Sequence, residues 1–333
     1  MDIINHYCLL NSNDSFRQWG EMFIKKKQNK VSPSQLKNLK CYLSHLYNYF
    51  GEIPIKEIRT DDMDFILDEL TRNNPNTKRP ASHQYLTDVR SAASNVFELA
   101  IDRDALAKNP ARKCEISKYA PKEERRALTL LEQRLIVFTP HRARIGALIM
   151  MLAGLRRGEL IALTWDDIHL DDLYISVTKR VEEHQANHFA IKNGTKNGKW
   201  GRNIGITIDL ALEIQKAKEN AASKYVCCKL DGTMHTPTSW RRMWSNYIKT
   251  IIDINPIAKQ TGINEITAHY LRHTFATLLY ISEVDLETAC KLLGHANIKT
   301  TLEIYMHFDE MMLIKSVDKL DDYVSKTIFR PFQ

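Results

Sequence analysis

One stretch, Thr267 to Tyr305 (TAHYLRHTFATLLYISEVDLETACKLLGHANIKTTLEIY), constrains this chain more than any other. His269 and Arg272 stand three positions apart, so on a helix they point from the same face. Thr267, just ahead of them, is an N-cap residue type, which places both near the positive end of that helix. Asp285 predicts the start of a second helix, with Leu286, Ala289, Leu292 and Leu293 at helical spacing and Gly294 as its stop. His295 follows the stop at the edge of a turn. Thr300-Thr301-Leu302-Glu303 predicts a capping box for a third helix with Tyr305 early in it. Two histidines, an arginine and a tyrosine therefore gather at helix ends, where phosphate is most easily held.

The rest of the chain reads as two domains, 1–112 and 128–333, joined by a linker at 113–127, and 333 residues are ample for two cores. Up to about residue 112 the pattern is helical. Phe16, Trp19, Phe23 and Ile24 form one stripe; Leu36, Leu39, Leu43, Leu46 and Tyr47 a second; Met63, Ile66, Leu67 and Leu70 a third. Tyr85, Val89, Ala92, Ala93, Val96, Phe97 and Ala100 form the fourth. Residues 113–127 are rich in Lys, Arg and Glu and lack an apolar period. Beyond them, helices are expected at Leu130–Phe138, Ile145–Leu152 and Pro237–Ile252, and strands at Leu173–Val181 and Ile204–Ile208. The aromatics of the Pro237 helix fit a core better than a base-stacking surface, while Arg241 and Arg242 are candidates to touch a polyanion. The fold class is mainly α with a small β-sheet.

Composition excludes several classes. The longest apolar run, Ile145 to Leu155, is too short to span a bilayer, and no cationic-then-apolar leader opens the sequence. Cys8, Cys41, Cys114, Cys227, Cys228 and Cys290 lack metal-ligand spacing and read as reduced thiols. A soluble, cytoplasmic protein without membrane contact, metal or cofactor is expected. The formal net charge of +7, from 47 Lys+Arg against 40 Asp+Glu, favours a polyanionic partner only weakly.

AHYLRHTFAT, LLGH and TTLEIYMH, in this order, resemble the C-terminal signature of the tyrosine recombinases, the phage-integrase family. Gly154-Leu155-Arg156-Arg157-Gly158-Glu159-Leu160 is similar to the family's box around its first catalytic arginine, which assigns that role to Arg156 and leaves Glu159 to buttress the turn. The family carries a catalytic lysine on a β-hairpin turn. Between Phe189 and Arg202, Lys196 fits best, with Lys192 and Lys199 as alternative registers. The resemblance covers the chain from about residue 12 onward. It implies an N-terminal four-helix core-binding domain that clamps DNA and a mixed α/β catalytic domain. Lys25, Lys26, Lys27, Lys30, Lys37, Lys40, Lys78, Arg79 and Arg90 would then be phosphate contacts, where alone they would read as a solvated face.

The chemistry explains the residue types. A Tyr305 nucleophile would form a phosphotyrosine ester, dividing one strand exchange into two reversible steps without ATP. Arg156 and Arg272 would hold the non-bridging oxygens, each such donor contributing roughly 3–4 kcal/mol. His269 and His295 would add phosphate bonds or assist proton transfer, and Lys196 would protonate the leaving 5′-oxygen. The implied partners are double-stranded DNA recombination sites and three further copies in a homotetramer, with room for an accessory directionality factor. Three readings remain open: the integrase of a phage or mobile element, a housekeeping resolver of chromosome dimers, and a catalytically silent DNA-binding protein on the same scaffold. After Tyr305, Leu313, Val317, Leu320 and Val324 predict a one-sided apolar helix that packs in cis or on a neighbouring subunit.

Overall fold

The computed structural model describes residues 10–75, 77–122, 126–185, 188–194, 201–295 and 297–306. The C-terminal stripe from Leu313 to Val324, Lys196 and Lys199 lie outside the described residues. The chain divides into two compact units, Met1–Glu124 with Glu183–His188, and Arg125–Glu182 with Phe189–Gln333. Among the described residues no helix is long and apolar enough to cross a membrane.

The first unit follows its four apolar stripes as α1 (Phe16–Lys27), α2 (Pro33–Phe50), α3 (Thr60–Arg72) and α4 (His83–Ile101). Ser15 and Ser32 start α1 and α2 with capping boxes completed by Gln18 and Gln35. Phe16 is wholly buried, edge-on to Phe50 with ring centroids 4.7 Å apart and tilted against Phe97 at 5.3 Å. Each large apolar side chain buried this way contributes about 1.5–3 kcal/mol. Lys25, Lys26, Lys30, Lys37, Lys40, Lys78 and Arg79 are exposed. Arg90 differs: half-buried, it donates to the Cys114 carbonyl at 2.8 Å and so holds part of this unit together. Within the segment 113–127, Cys114 and Ala120 are buried in the same core.

The second unit is mainly helical around a small sheet. In chain order, the elements beyond residue 125 are α5 (Leu130–Phe138), α6 (Arg144–Leu152), α7 (Arg157–Ala162), β1 (Ile168–His169), β2 (Tyr174–Val177), β3 (Lys179–Gln185), β4 (His188–Asn193) and β5 (Arg202–Gly205). There follow α8 (Ile208–Glu219), α9 (Pro237–Ile254), α10 (Ala268–Ile281), α11 (Leu286–Leu293) and α12 (Ile298–Met306). β1, β2 and β5 form an antiparallel sheet with Ile175 opposite both Ile168 and Ile204, and β3 pairs with β4. Alternation turns Ile175 and Val177 inward. α6 is buried along Gly146 to Met151, and α10 packs against it. On α9, Trp240 and Tyr247 are core residues, and the Tyr247 hydroxyl donates to the Ile136 carbonyl at 2.6 Å.

One expected start is corrected. The capping box at Thr300–Glu303 does not begin α12, which opens three residues earlier, at Ile298. Asn297 accepts the Lys299 N–H at 3.0 Å, and an Asn side chain reaches a free helix-start donor as well as Thr does. Thr301 is thereby carried inside the helix and is wholly buried.

Candidate active site

α6 ends in a turn at Gly154, whose φ of +66° suits glycine. A Cβ there would also sit 2.2 Å from the Phe275 ring, so α10 closes directly over the turn. Arg156 follows as the N-cap of α7. Glu159 reaches back to it: Oε2 accepts the Arg156 main-chain N–H at 2.9 Å, and Oε1 accepts from Arg156 Nη1 at 3.0 Å. From the other side Arg202, at the start of β5, grips the same carboxylate with Nη1 to Oε1 at 3.1 Å and Nη2 to Oε2 at 2.9 Å. Burial would raise the Glu159 pKa, but Arg202 and then Arg156 overcome it and hold the carboxyl at about 2.

The end of α11 completes the cluster. Gly294 turns the chain with φ +61°, and the N–H groups of Gly294 and His295 bond back to the Lys291 and Cys290 carbonyls, both at 3.1 Å. Three further carbonyls at this end each accept from a different arginine. Arg202 Nε donates to Leu292 at 2.9 Å, Arg272 Nη2 to Leu293, and Arg156 Nη2 to Gly294 at 2.8 Å. Arg272 also donates through Nη1 to the Gly154 carbonyl. Three cations thus stand at the negative end of one helix. Burial, with Arg156 next, pulls the Arg272 pKa down to about 9, which still leaves a cation at neutral pH.

His295 sits against this group. Its Nδ1 lies 2.8 Å from Thr301 Oγ1, which also receives the Cys290 thiol at 3.2 Å. Burial first, then Arg272 and Arg156, lowers the imidazole to about 4, so the ring is neutral at pH 7. His269, exposed in the first turn of α10, is also close enough for its charge to act on His295.

Tyr305 is held differently. Its hydroxyl donates to the Val284 carbonyl at 3.3 Å, and its ring lies 4.8 Å from that of Tyr280. It packs on the small cluster of Phe275, Leu279 and Leu293. Burial, followed by Cys290 and Asp285, pushes the phenol up to about 12. Arg156, Arg272, His295 and His269 are therefore brought together, while the Tyr305 hydroxyl bonds elsewhere. Lys192, on β4, pairs with Glu182 at 3.1 Å. Arg202, given no role from sequence, is the site residue that reading overlooked; its one signal is an arginine opening a strand directly after a basic loop. A cavity of about 310 Å³ nearby is lined by Arg157, Arg241, Trp240, Trp244 and Thr267, among others.

Residues 120–311 match the phage integrase family and residues 16–116 the phage integrase central domain. The ICEBs1 integrase of Bacillus subtilis is 24% identical over 303 residues, 87% of this chain and 78% of that protein. Tyrosine recombinase XerC of Caldanaerobacter subterraneus is 27% identical over 317 residues, 89% of this chain and 77% of that one. The fold matches that of the Tn1549 transposon integrase, solved with a circular-intermediate DNA, with a TM-score of 0.77 at 20% identity over 92% of this chain and 99% of the other. With both units matched in order, the chain belongs to the phage integrase family of tyrosine recombinases.

Proposed function

We propose that this tyrosine recombinase is the integrase of a phage or other mobile element, cutting and rejoining DNA through a 3′-phosphotyrosine ester and a Holliday junction. The observation that carries the reading is the arginine cluster: two guanidiniums, on Arg156 and Arg272, each keep donors beyond those bonded to main-chain carbonyls. A scissile phosphate placed there meets a fixed array of positive charge and needs no rearrangement to be neutralised.

In the first step the Tyr305 oxygen attacks phosphorus, the bond to the 5′-oxygen breaks and the tyrosyl ester forms. The phenolic proton passes to a base, for which the histidines of the site, His295 and His269, are the candidates. The departing 5′-oxygen takes a proton from Lys196, or from Lys192 or Lys199 in another register. A 5′-hydroxyl from the partner duplex reverses these steps and seals the exchanged strand. Attack requires Tyr305 to leave the Val284 carbonyl first. The working assembly is a homotetramer on two DNA duplexes, with a directionality factor as an additional partner. The similarity to XerC favours a second reading, resolution of chromosome dimers, with the same chemistry.

The test is a nicked recombination site that traps the covalent intermediate. An adduct that forms in excess EDTA and maps to Tyr305 is expected. Strict magnesium dependence, restored by adding the ion back, would contradict charge neutralisation by arginine.

A further inference from the structure

We infer that Arg202 is a positioning residue for the phosphate site: by neutralising Glu159 and holding the end of α11, it leaves Arg156 free to act on DNA. This rests on the proposed phosphate role of Arg156 and Arg272. The side chain of Arg202 is only 10% exposed, and three of its five N–H donors are already used, two on Glu159 and one on Leu292. Its planar fork, matched to a carboxylate, faces Glu159 rather than solvent.

The effect on Arg156 follows from charge and donor count. Glu159 is 3% exposed, and its two oxygens accept four N–H groups, two from Arg202 and two from Arg156. As built, three guanidiniums face one carboxylate, a surplus of two positive charges. Without Arg202 the surplus falls to one. The buried carboxylate would then be hydrogen-bonded by Arg156 alone among these guanidiniums and would draw the second Arg156 amino group away from Gly294. A closed Arg156–Glu159 pair is nearly neutral toward an incoming phosphate. Arg202 thus acts through Arg156, without contact to the DNA.

The position of the α11 end depends on the same residue. Arg202, Arg272 and Arg156 take the carbonyls of residues 292, 293 and 294 in turn, and His295 is next in the chain. A Cβ on Gly294 would lie 3.1 Å from Arg202 Nη1, so the guanidinium packs directly on the turn that places His295. Arg202 therefore sets both the charge and the seating of the groups that would meet the phosphate.

The test compares wild type, Arg202→Met, Glu159→Gln and the double variant by half-site gel shift, single-turnover cleavage of a nicked site, and thermal melting. Arg202→Met is expected to cleave about 10- to 100-fold more slowly, below the loss typical of deleting a donor to the reacting oxygen itself, with half-site binding retained. The double variant should cleave faster than Arg202→Met, because the unbalanced carboxylate no longer competes for Arg156. A purely structural role predicts the reverse, since the double variant removes still more of the buried network. The inference is overturned if Arg202→Met cleaves like wild type, or if the folded double variant is as slow as Arg202→Met or slower. Should Arg202→Met lack a melting transition, Arg202→Lys with and without Glu159→Gln carries the same comparison. A wild-type protein that forms no adduct would instead overturn the proposed function, whatever the Arg202 variants do.

Discussion

The arginine end of the site and the tyrosine end lie on neighbouring elements of one unit, yet they hold their side chains in opposite ways. Arg156, Arg202 and Arg272 are fixed by Glu159 and by the main-chain carbonyls of residues 154, 292, 293 and 294. Backbone acceptors cannot rotate away, so these charges are oriented before any DNA arrives. Tyr305 is anchored by one 3.3 Å bond to Val284 and by ring packing, with its phenol pushed up to about 12. In this conformation it is protonated and engaged with a carbonyl. The difference teaches that the groups proposed to receive the phosphate are preorganised and the proposed nucleophile is not. Under the proposed mechanism, the energetic control of cleavage rests on moving and deprotonating one tyrosine on α12.

The sharpest way to break that comparison is to remove the tyrosine oxygen alone. Tyr305→Phe should abolish the covalent adduct while leaving half-site binding nearly unchanged, because no phosphate donor is touched. The lost bond to Val284 costs only about 0.5–1.5 kcal/mol, visible as a small drop in Tm. An adduct that persists in this variant would move the nucleophile to another residue. Tyr280, whose ring lies tilted against that of Tyr305, is the first to examine.

Next in size is the buried arginine. Arg272→Ala should slow cleavage by about 10²–10³-fold, the usual cost of losing a preorganised donor. It should also lower Tm, because the Gly154 and Leu293 carbonyls lose their partner, at about 1–3 kcal/mol for a buried group left unpaired. Arg272→Lys keeps a charge but cannot bridge two carbonyls with a planar fork, so it should recover only part of the rate. If Arg272→Ala lost stability and kept its cleavage rate, the residue would be a bracket for α11 and nothing more.

Much of this arrangement was legible locally. Thr267, Asp285 and Gly294 terminate helices because their side chains or φ satisfy free backbone groups within a few residues, and the sequence shows that directly. Features that depend on distant partners were not legible. Arg202 meets Glu159 across 43 positions, and nothing near Arg202 announces the buried carboxylate. Arg90 looks like any surface cation until the Cys114 carbonyl is placed beside it. The start of α12 falls at Asn297 and not at Thr300 because Asn caps a helix as well as Thr does, and the bond from buried Thr301 to His295 that goes with it is a contact set by the fold. The Val284 contact of Tyr305 had no sequence signal, since any main-chain carbonyl can accept a phenol.

A smaller effect separates the two ends by pH. The His295 pKa is lowered from 6.5 to about 4 by burial and then by Arg272 and Arg156. As pH falls below 6.5 the unfolded chain takes up this proton first, so stability declines from about pH 6.5 to pH 4 and this contribution levels off below. Allowing for solvent screening, the loss is about 1–3 kcal/mol. His45, His141 and His235 are shifted in the same direction, so the useful quantity is the difference between wild type and His295→Gln across this window. Glu159, held at about 2, loses its stabilisation lower, between about pH 4.5 and 2. A His295→Gln curve parallel to wild type from pH 6.5 to 4 would place the imidazole outside the field of the arginines.

The smallest effect tests whether the two ends communicate at all. Thr301 stands four residues before Tyr305 on α12, and its hydroxyl is the partner of His295 Nδ1 at 2.8 Å. Its hydroxyl thus ties the helix of the proposed nucleophile to the arginine end by a hydrogen bond. The bond also selects a tautomer, because the role of one ring nitrogen is set by what the other meets. Thr301→Val keeps the buried shape and deletes the hydroxyl, leaving Nδ1 and the Cys290 thiol without that partner. Cleavage should slow by about three- to tenfold, the kinetic equivalent of one net hydrogen bond, and Thr301→Ser should restore it. The nitrogen shifts of the His295 ring should change in Thr301→Val and return in Thr301→Ser. If Thr301→Val instead cleaves at the wild-type rate with an unchanged imidazole, the arginine and tyrosine ends are independent, and α12 can reposition Tyr305 without disturbing His295.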